Sequence, residues 1–204
     1  LNIFSLDSGF YRFLEKFTNF ILLNLLWIIM CIPIITIFPA TTAMFGVVRQ
    51  WVQKKDNGVF RNFFVFFKEN FLQSFIVGLV WLLLAFSLYY NINVSLHMSG
   101  VLKIVMVSTF MFFSIFFIMT SIFLFPVMVH YKLRWTLLIK NSFLISISQL
   151  WVTVLCGIIL VLAAFLSVFI PITSIIVWSI AVYFLYLLCE RSFRKIENIT
   201  QAQA

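Results

Sequence analysis

Residues 104–131 read IVMVSTFMFFSIFFIMTSIFLFPVMVHY, twenty-eight positions without one Asp, Glu, Lys or Arg. A crossing helix needs roughly 20 apolar residues, because the hydrocarbon core of a bilayer is about 30 Å thick. This run is long enough to cross, and it is not alone. Residues 17–48, 70–102 and 141–189 are also free of those four residue types. The whole chain is 64% hydrophobic and 10% charged, with a mean hydropathy of +1.13. Soluble domains carry about 25% charged residues. A soluble core cannot hide this much apolar surface, so lipid must cover part of it.

The runs predict about five spans, at 17–38, 71–91, 104–128, 146–169 and 172–189. The last two come from one run divided at Pro171, because proline removes an interior helical hydrogen bond. The fold class is all-α, a polytopic membrane protein in a single transmembrane domain over 1–204. A β-barrel does not fit, because the runs are continuous and lack a two-residue period.

Residues 17–48 are the difficult stretch. They exceed one crossing, yet two arms of about 16 residues reach only about 24 Å each. A span kinked near Pro33 and Pro39 is the first reading, and a re-entrant hairpin bent at either proline is the second. In the first reading, 49–69, 130–145 and the tail lie on one side with eleven Lys and Arg, against Arg12, Lys16 and Lys103 on the other. Basic segments stay cytoplasmic, which places the C-terminus inside and the N-terminus outside. The net charge of +8 is then a topology and lipid signal, and nucleic acid is not an expected partner.

Short amphipathic helices are expected at the membrane surface. In residues 1–16, Phe10, Phe13 and Leu14 oppose Arg12, Glu15 and Lys16, with Asp7 or Ser8 as cap. After a turn at Lys54–Gly58, the segment 59–69 presents Phe60, Phe63, Phe64 and Phe67 on one face. Lys132, Thr136 and Lys140 share a face after the third span. The strings at 68–74 and 140–146 match in Lys, Phe, Leu and Ser at an offset of 72, a pattern that chance or an internal duplication would explain.

Little in the sequence suggests catalysis. No Asp or Glu falls within a predicted span, and Glu190 closes the last one. His97 lies in an outer loop over 91–103 and His130 at a cytoplasmic end, and Cys31, Cys156 and Cys189 are too widely spaced for a ligand cluster. No phosphate-binding loop is present. No enzyme activity, metal or cofactor is expected. Asn24, Thr36, Thr109, Gln149 and Thr153 are read as interhelical hydrogen-bonding groups, and Gly78 and Gly157 as close-packing positions. A pore lined by these polar groups is the competing reading.

The N-terminal third carries a resemblance. Phe4-Ser5-Leu6-Asp7, Phe10-Tyr11-Arg12-Phe13, Asn24-Leu25-Leu26-Trp27, Cys31-Ile32-Pro33, Pro39-Ala40-Thr41, Val48-Arg49-Gln50-Trp51, Asp56-Asn57-Gly58-Val59-Phe60 and Phe67-Lys68-Glu69-Asn70-Phe71 follow in order. Together they resemble the YesL family of bacterial membrane proteins, with Phe38 where glycine is expected before Pro39. The resemblance implies a multi-pass protein of a bacterial cell membrane, and the Phe, Ile, Lys and Asn content suits a low-GC Gram-positive source. It also implies a genomic setting beside carbohydrate ABC importers. The function expected from it is a non-catalytic accessory subunit on the permease subunits of such an importer, with Pro33, Pro39, Phe60, Phe63, Phe64 and Phe67 as contact residues. An independent channel or transporter for a small neutral solute is the alternative.

Overall fold

The computed structural model describes residues 9–55, 58–131 and 133–202, with side chains over 14–55, 58–131 and 133–198. Seven α-helices follow in order: α1 Gly9–Cys31, α2 Ile37–Val52, α3 Val59–Leu96, α4 Gly100–His130, α5 Trp135–Ser148, α6 Leu150–Phe169 and α7 Val177–Ala202. Short 3-10 turns occupy Ile34–Thr36 and Pro171–Ile175. In lipid every backbone amide needs an internal partner, and helices meet that demand without strands. Among the described residues, four stretches are long and apolar enough to cross a bilayer: Leu14–Cys31, Val59–Leu96, Gly100–His130 and Leu150–Phe169. The start of α7 is apolar through Cys189, after which Glu190, Arg191, Arg194 and Lys195 follow.

The first span is not a single kinked helix over 17–38. The chain turns back at 32–36, and α2 returns against α1. Trp27 Nε1 donates to Thr41 Oγ1 at 3.2 Å, and Phe20 meets Trp51 edge-on at 5.0 Å. The two prolines serve the turn. Pro33 caps the 3-10 segment with extended backbone. Pro39 sits in the first turn of α2, where its missing N–H leaves no bond broken. Thr36 Oγ1 donates to the carbonyls of Met30 and Pro33, both at 2.6 Å, and so satisfies groups freed by the break. The equal-arm estimate failed because α1 begins at Gly9, so positions 12, 15 and 16 belong to its opening turns. At 16 residues, α2 rises only about 24 Å.

This hairpin sets the relative placement of the described helix ends. The beginning of α1 lies on the same side as the α2–α3 connection. The end of α7 joins them there, because Glu197 reaches Tyr131 just beyond α4. The beginning of α1 and the end of α7 therefore lie on one face of the described structure, whereas the single-span reading puts them on opposite faces.

Two further boundaries differ. The expected surface helix 59–69 and span 71–91 are one helix of 38 residues, about 57 Å long, since no proline interrupts them. The expected span 146–169 is broken at Gln149 (φ −121°, ψ 52°), where Thr153 Oγ1 bonds the carbonyls of Ser146 and Gln149. At the α2–α3 turn, Lys54 (φ 57°) and Gly58 (φ 91°) adopt the positive φ a sharp reversal requires; Asp56 and Asn57 lie outside the described residues. So do Lys132 and the side chains of Phe10, Arg12 and Phe13, and residues Asp7 and Ser8.

The core centres on α2, which is buried from Pro39 to Val48 apart from Thr41. Small residues let its neighbours approach, as lipid-embedded packing favours. The Phe66 ring lies directly over Gly46, and the Phe38 ring over Gly78. The expected close packing at Gly157 is absent, since a Cβ there would meet only Ile122 Cδ1 at 3.8 Å. Ser74 Oγ donates to Thr42 Oγ1 at 2.9 Å and lies 3.2 Å from Met128 Sδ, which ties α3, α2 and α4 together. The matching strings occupy matching environments: Lys68 and Lys140 are exposed, Phe71 and Phe143 border on half-buried, and Ser74 and Ser146 are fully buried.

Candidate functional site

On α7, Tyr186, Glu190, Phe193 and Glu197 recur at intervals of four, three and four, which places them on one helix face. That face meets the ends of α2 and α4. Tyr186 is fully buried, its hydroxyl 3.1 Å from His130 Nδ1, with the Arg49 guanidinium of α2 near enough to act on it electrostatically. His130 Nε2 is 3.3 Å from Glu197 Oε1. Tyr131 O–H donates to the same oxygen at 3.1 Å. The Phe193 ring closes over His130 at 4.6 Å and Tyr131 at 5.5 Å. Glu190, only 5% exposed, accepts from Arg194 Nη2 at 2.7 Å.

Burial pushes the Tyr131 hydroxyl above its ordinary range, and the bond and charge of Glu197 act in the same direction. The Arg194 guanidinium is held charged by its bond to Glu190. The cluster therefore locks α7 to α2 and α4 through charged and aromatic groups at the basic end of the bundle. No group of three or more His, Cys, Asp or Glu able to hold a metal exists among the described residues.

The sequence had placed Glu190 and His130 at helix ends without joining them. The signal was the spacing on α7, but its partners lie 56 to 67 residues away. Cys156 of α6 and Cys189 of α7 are both buried and lie near one another, as free thiols.

The six expected contact residues do not form one surface. Pro33 is exposed at the α1–α2 turn, whereas Pro39 is buried. Phe63 is fully buried in the protein's own core, which removes it from any partner surface. Phe60 is 59% exposed, and Phe64 and Phe67 are half-buried. Phe60 and Phe64 stack obliquely at 4.8 Å. The face read as uniformly amphipathic is thus divided, because α2 covers the Phe63 side.

Apart from this cluster, the polar groups inside the helices mostly bond locally. Thr109, Ser114, Thr120 and Ser167 each donate to the carbonyl four residues earlier. Asn24 is an exception: its Nδ2 donates to the Ser174 carbonyl at 2.5 Å. Trp81 Nε1 crosses from α3 to Ser121 of α4 at 2.8 Å. An apolar cavity of about 330 Å³ lies between α1, α2, α4, α6 and α7, with Thr41 and Ser121 as its polar side chains.

These features define a polytopic α-helical membrane protein, with four helices among the described residues long and apolar enough to cross the bilayer. Residues 20–92 match the family described as "Protein of unknown function, DUF624". The chain is 30% identical over 164 residues to the uncharacterized protein YteU of Bacillus subtilis strain 168, covering 78% of this chain and 73% of YteU. It is 31% identical over 159 residues to YesL of the same organism, covering 76% and 75%. The chain belongs to this YesL-like family. No solved structure matches it.

Proposed function

We propose that the chain is a non-catalytic accessory subunit that docks within the membrane onto the permease subunits of a carbohydrate ABC importer. The observation that carries this reading is the outer half of the α3–α4 hairpin. From Leu82 to Leu96 and from Val101 to Met119, only Ser95 is buried. Leu83, Phe86, Tyr90, Val101, Ile104 and Phe112 are each more than half exposed. The other helices pack around the opposite half. The outer halves of these two helices, exposed along most of their length, offer a surface to the helices of another protein, and close packing rather than hydrophobic drive would hold such a contact.

The genomic setting that the family resemblance implies, beside sugar importers, is the support for the choice of partner. The local bonding of the intramembrane hydroxyls gives less support to a solute channel. Lys16, Lys54, Lys55, Arg61, Arg134 and Arg194 lie toward one end of the bundle and Lys103 toward the other, and the rule for basic segments supports a cytoplasmic side for that basic end.

Affinity purification from mild detergent, in cells that express the importer, tests the proposal. Permease subunits should co-purify, and Phe86→Ala with Phe112→Ala should reduce their recovery. Recovery of the chain alone, with solute flux in liposomes that hold only this protein, would replace it with the channel reading.

A further inference from the structure

At the basic end, α1, α2 and α7 enclose a second cavity, of about 340 Å³, lined by Lys16, Asn19, Phe20, Trp51 and Tyr183. We infer that this cavity binds the anionic phosphate headgroup of a membrane phospholipid.

Its walls combine two chemistries. Phe20 stands edge-on to both Trp51, at 5.0 Å, and Tyr183, at 5.6 Å, which makes an aromatic floor. Lys16 and Asn19 are three residues apart on α1 and so share a face. They bring an ammonium and a carboxamide to that floor. No carboxylate lines the cavity among the described residues. The Trp51 indole N–H is buried and has no hydrogen-bond partner. A buried donor left unsatisfied is rare and calls for an explanation. Trp51 lines the cavity together with Lys16, and an anionic oxygen that a small turn of the ring brings to the N–H would complete it.

The location fits the occupant. Trp51 stands one residue before the end of α2, beside the turn that carries Lys54 and Lys55. Trp and Tyr favour the headgroup level of a bilayer, where the ring is apolar and its polar edge is wet. Anionic lipids of the cytoplasmic leaflet are drawn to basic juxtamembrane groups. The aromatic floor would meet the glycerol and upper acyl carbons, and Lys16, Asn19 and Trp51 would meet the phosphate.

The test is native mass spectrometry of the full chain in detergent, titrated with phosphatidylglycerol and, separately, phosphatidylcholine. Lys16→Gln and Trp51→Phe are compared with Lys103→Gln at the opposite end. Trp51→Phe keeps an aromatic ring against Phe20, and thermal melts identify any variant that misfolds. Phosphatidylglycerol should be retained in preference to phosphatidylcholine, with about fivefold weaker retention in both cavity variants and none lost in Lys103→Gln. Equal retention of the two lipids, or folded cavity variants that match the parent chain, would overturn the inference. Displacement of phosphatidylglycerol by millimolar inorganic phosphate would assign the cavity to a soluble anion and overturn the lipid reading.

Discussion

Gly78 of α3 lies beneath the ring of Phe38 of α2, so close that a Cβ at position 78 would stand 2.5 Å from Phe38 Cγ. The bulky residue occupies the place where the family resemblance led us to expect glycine, and the glycine that permits the close approach is on the facing helix. The contact sets the depth at which the returning α2 seats against α3. Overpacking costs about 1–3 kcal/mol, so Gly78→Val should lower the melting temperature in detergent clearly. Gly157→Ala should be neutral or stabilising by up to about 1 kcal/mol, since the site has room and alanine favours helix. Equal melts for the two variants would show that α2 does not pack here as described.

The hairpin makes a topological prediction. Single cysteines at Lys16 and Lys55, in a background without Cys31, Cys156 and Cys189, should behave alike toward an impermeant thiol reagent. With the basic end in the cytoplasm, both should be protected in intact cells, while a cysteine at Lys103 is labelled. Labelling at 16 with protection at 55 would restore the single kinked span.

Phe60 and Phe63 should separate folding from contact. Phe63→Glu places a carboxylate in the core, where an unpaired charge is costly, and should abolish accumulation of folded protein. Phe60→Glu, at a 59% exposed site, should leave the melt within a few degrees and alter only membrane seating or partner recovery. Comparable loss of folded protein in both variants would contradict the division of this face.

The lock on α7 predicts a pH response. The raised Tyr131 hydroxyl holds its proton more tightly in the folded state than in the unfolded one. Its contribution is whole below the ordinary tyrosine value of about 10. Above that value the unfolded chain releases the proton first, so stability falls as pH rises. Tyr131→Phe should flatten this loss between about pH 10 and 11 relative to the parent chain, as measured by thermal melts. An unchanged slope would mean that Tyr131 does not contribute to it.

Removing Arg194 should harm the fold more than removing Arg191. Glu190 is buried and bonded to Arg194, and truncating one partner leaves a buried charge unsatisfied. Limited proteolysis of the α7 tail should quicken in Arg194→Ala, and Glu190→Gln with Arg194→Ala should slow it again.

The sequence alone determined the class of this protein. Uncharged runs such as 104–131 are local facts, and lipid obliges each such run to satisfy its own backbone as a helix. Pro33, Thr36 and Pro39 likewise announced a break before any packing was known, and the N-terminal third carried the family. Tertiary structure decided what followed the break. Whether 17–48 crosses once or returns depended on α2 finding Gly78, Ser74 and Met128 to pack on, and these lie 32 to 86 residues from their α2 partners. It also decided that Phe63 turns inward while Phe60 stays out, because helical spacing gives a face but not the helix that covers it. The meeting of Arg49, His130, Tyr186 and Glu197 belongs to the same category. Helix ends from three parts of the chain come together there, and their joining depends on how the helices cross rather than on any run of neighbouring residues.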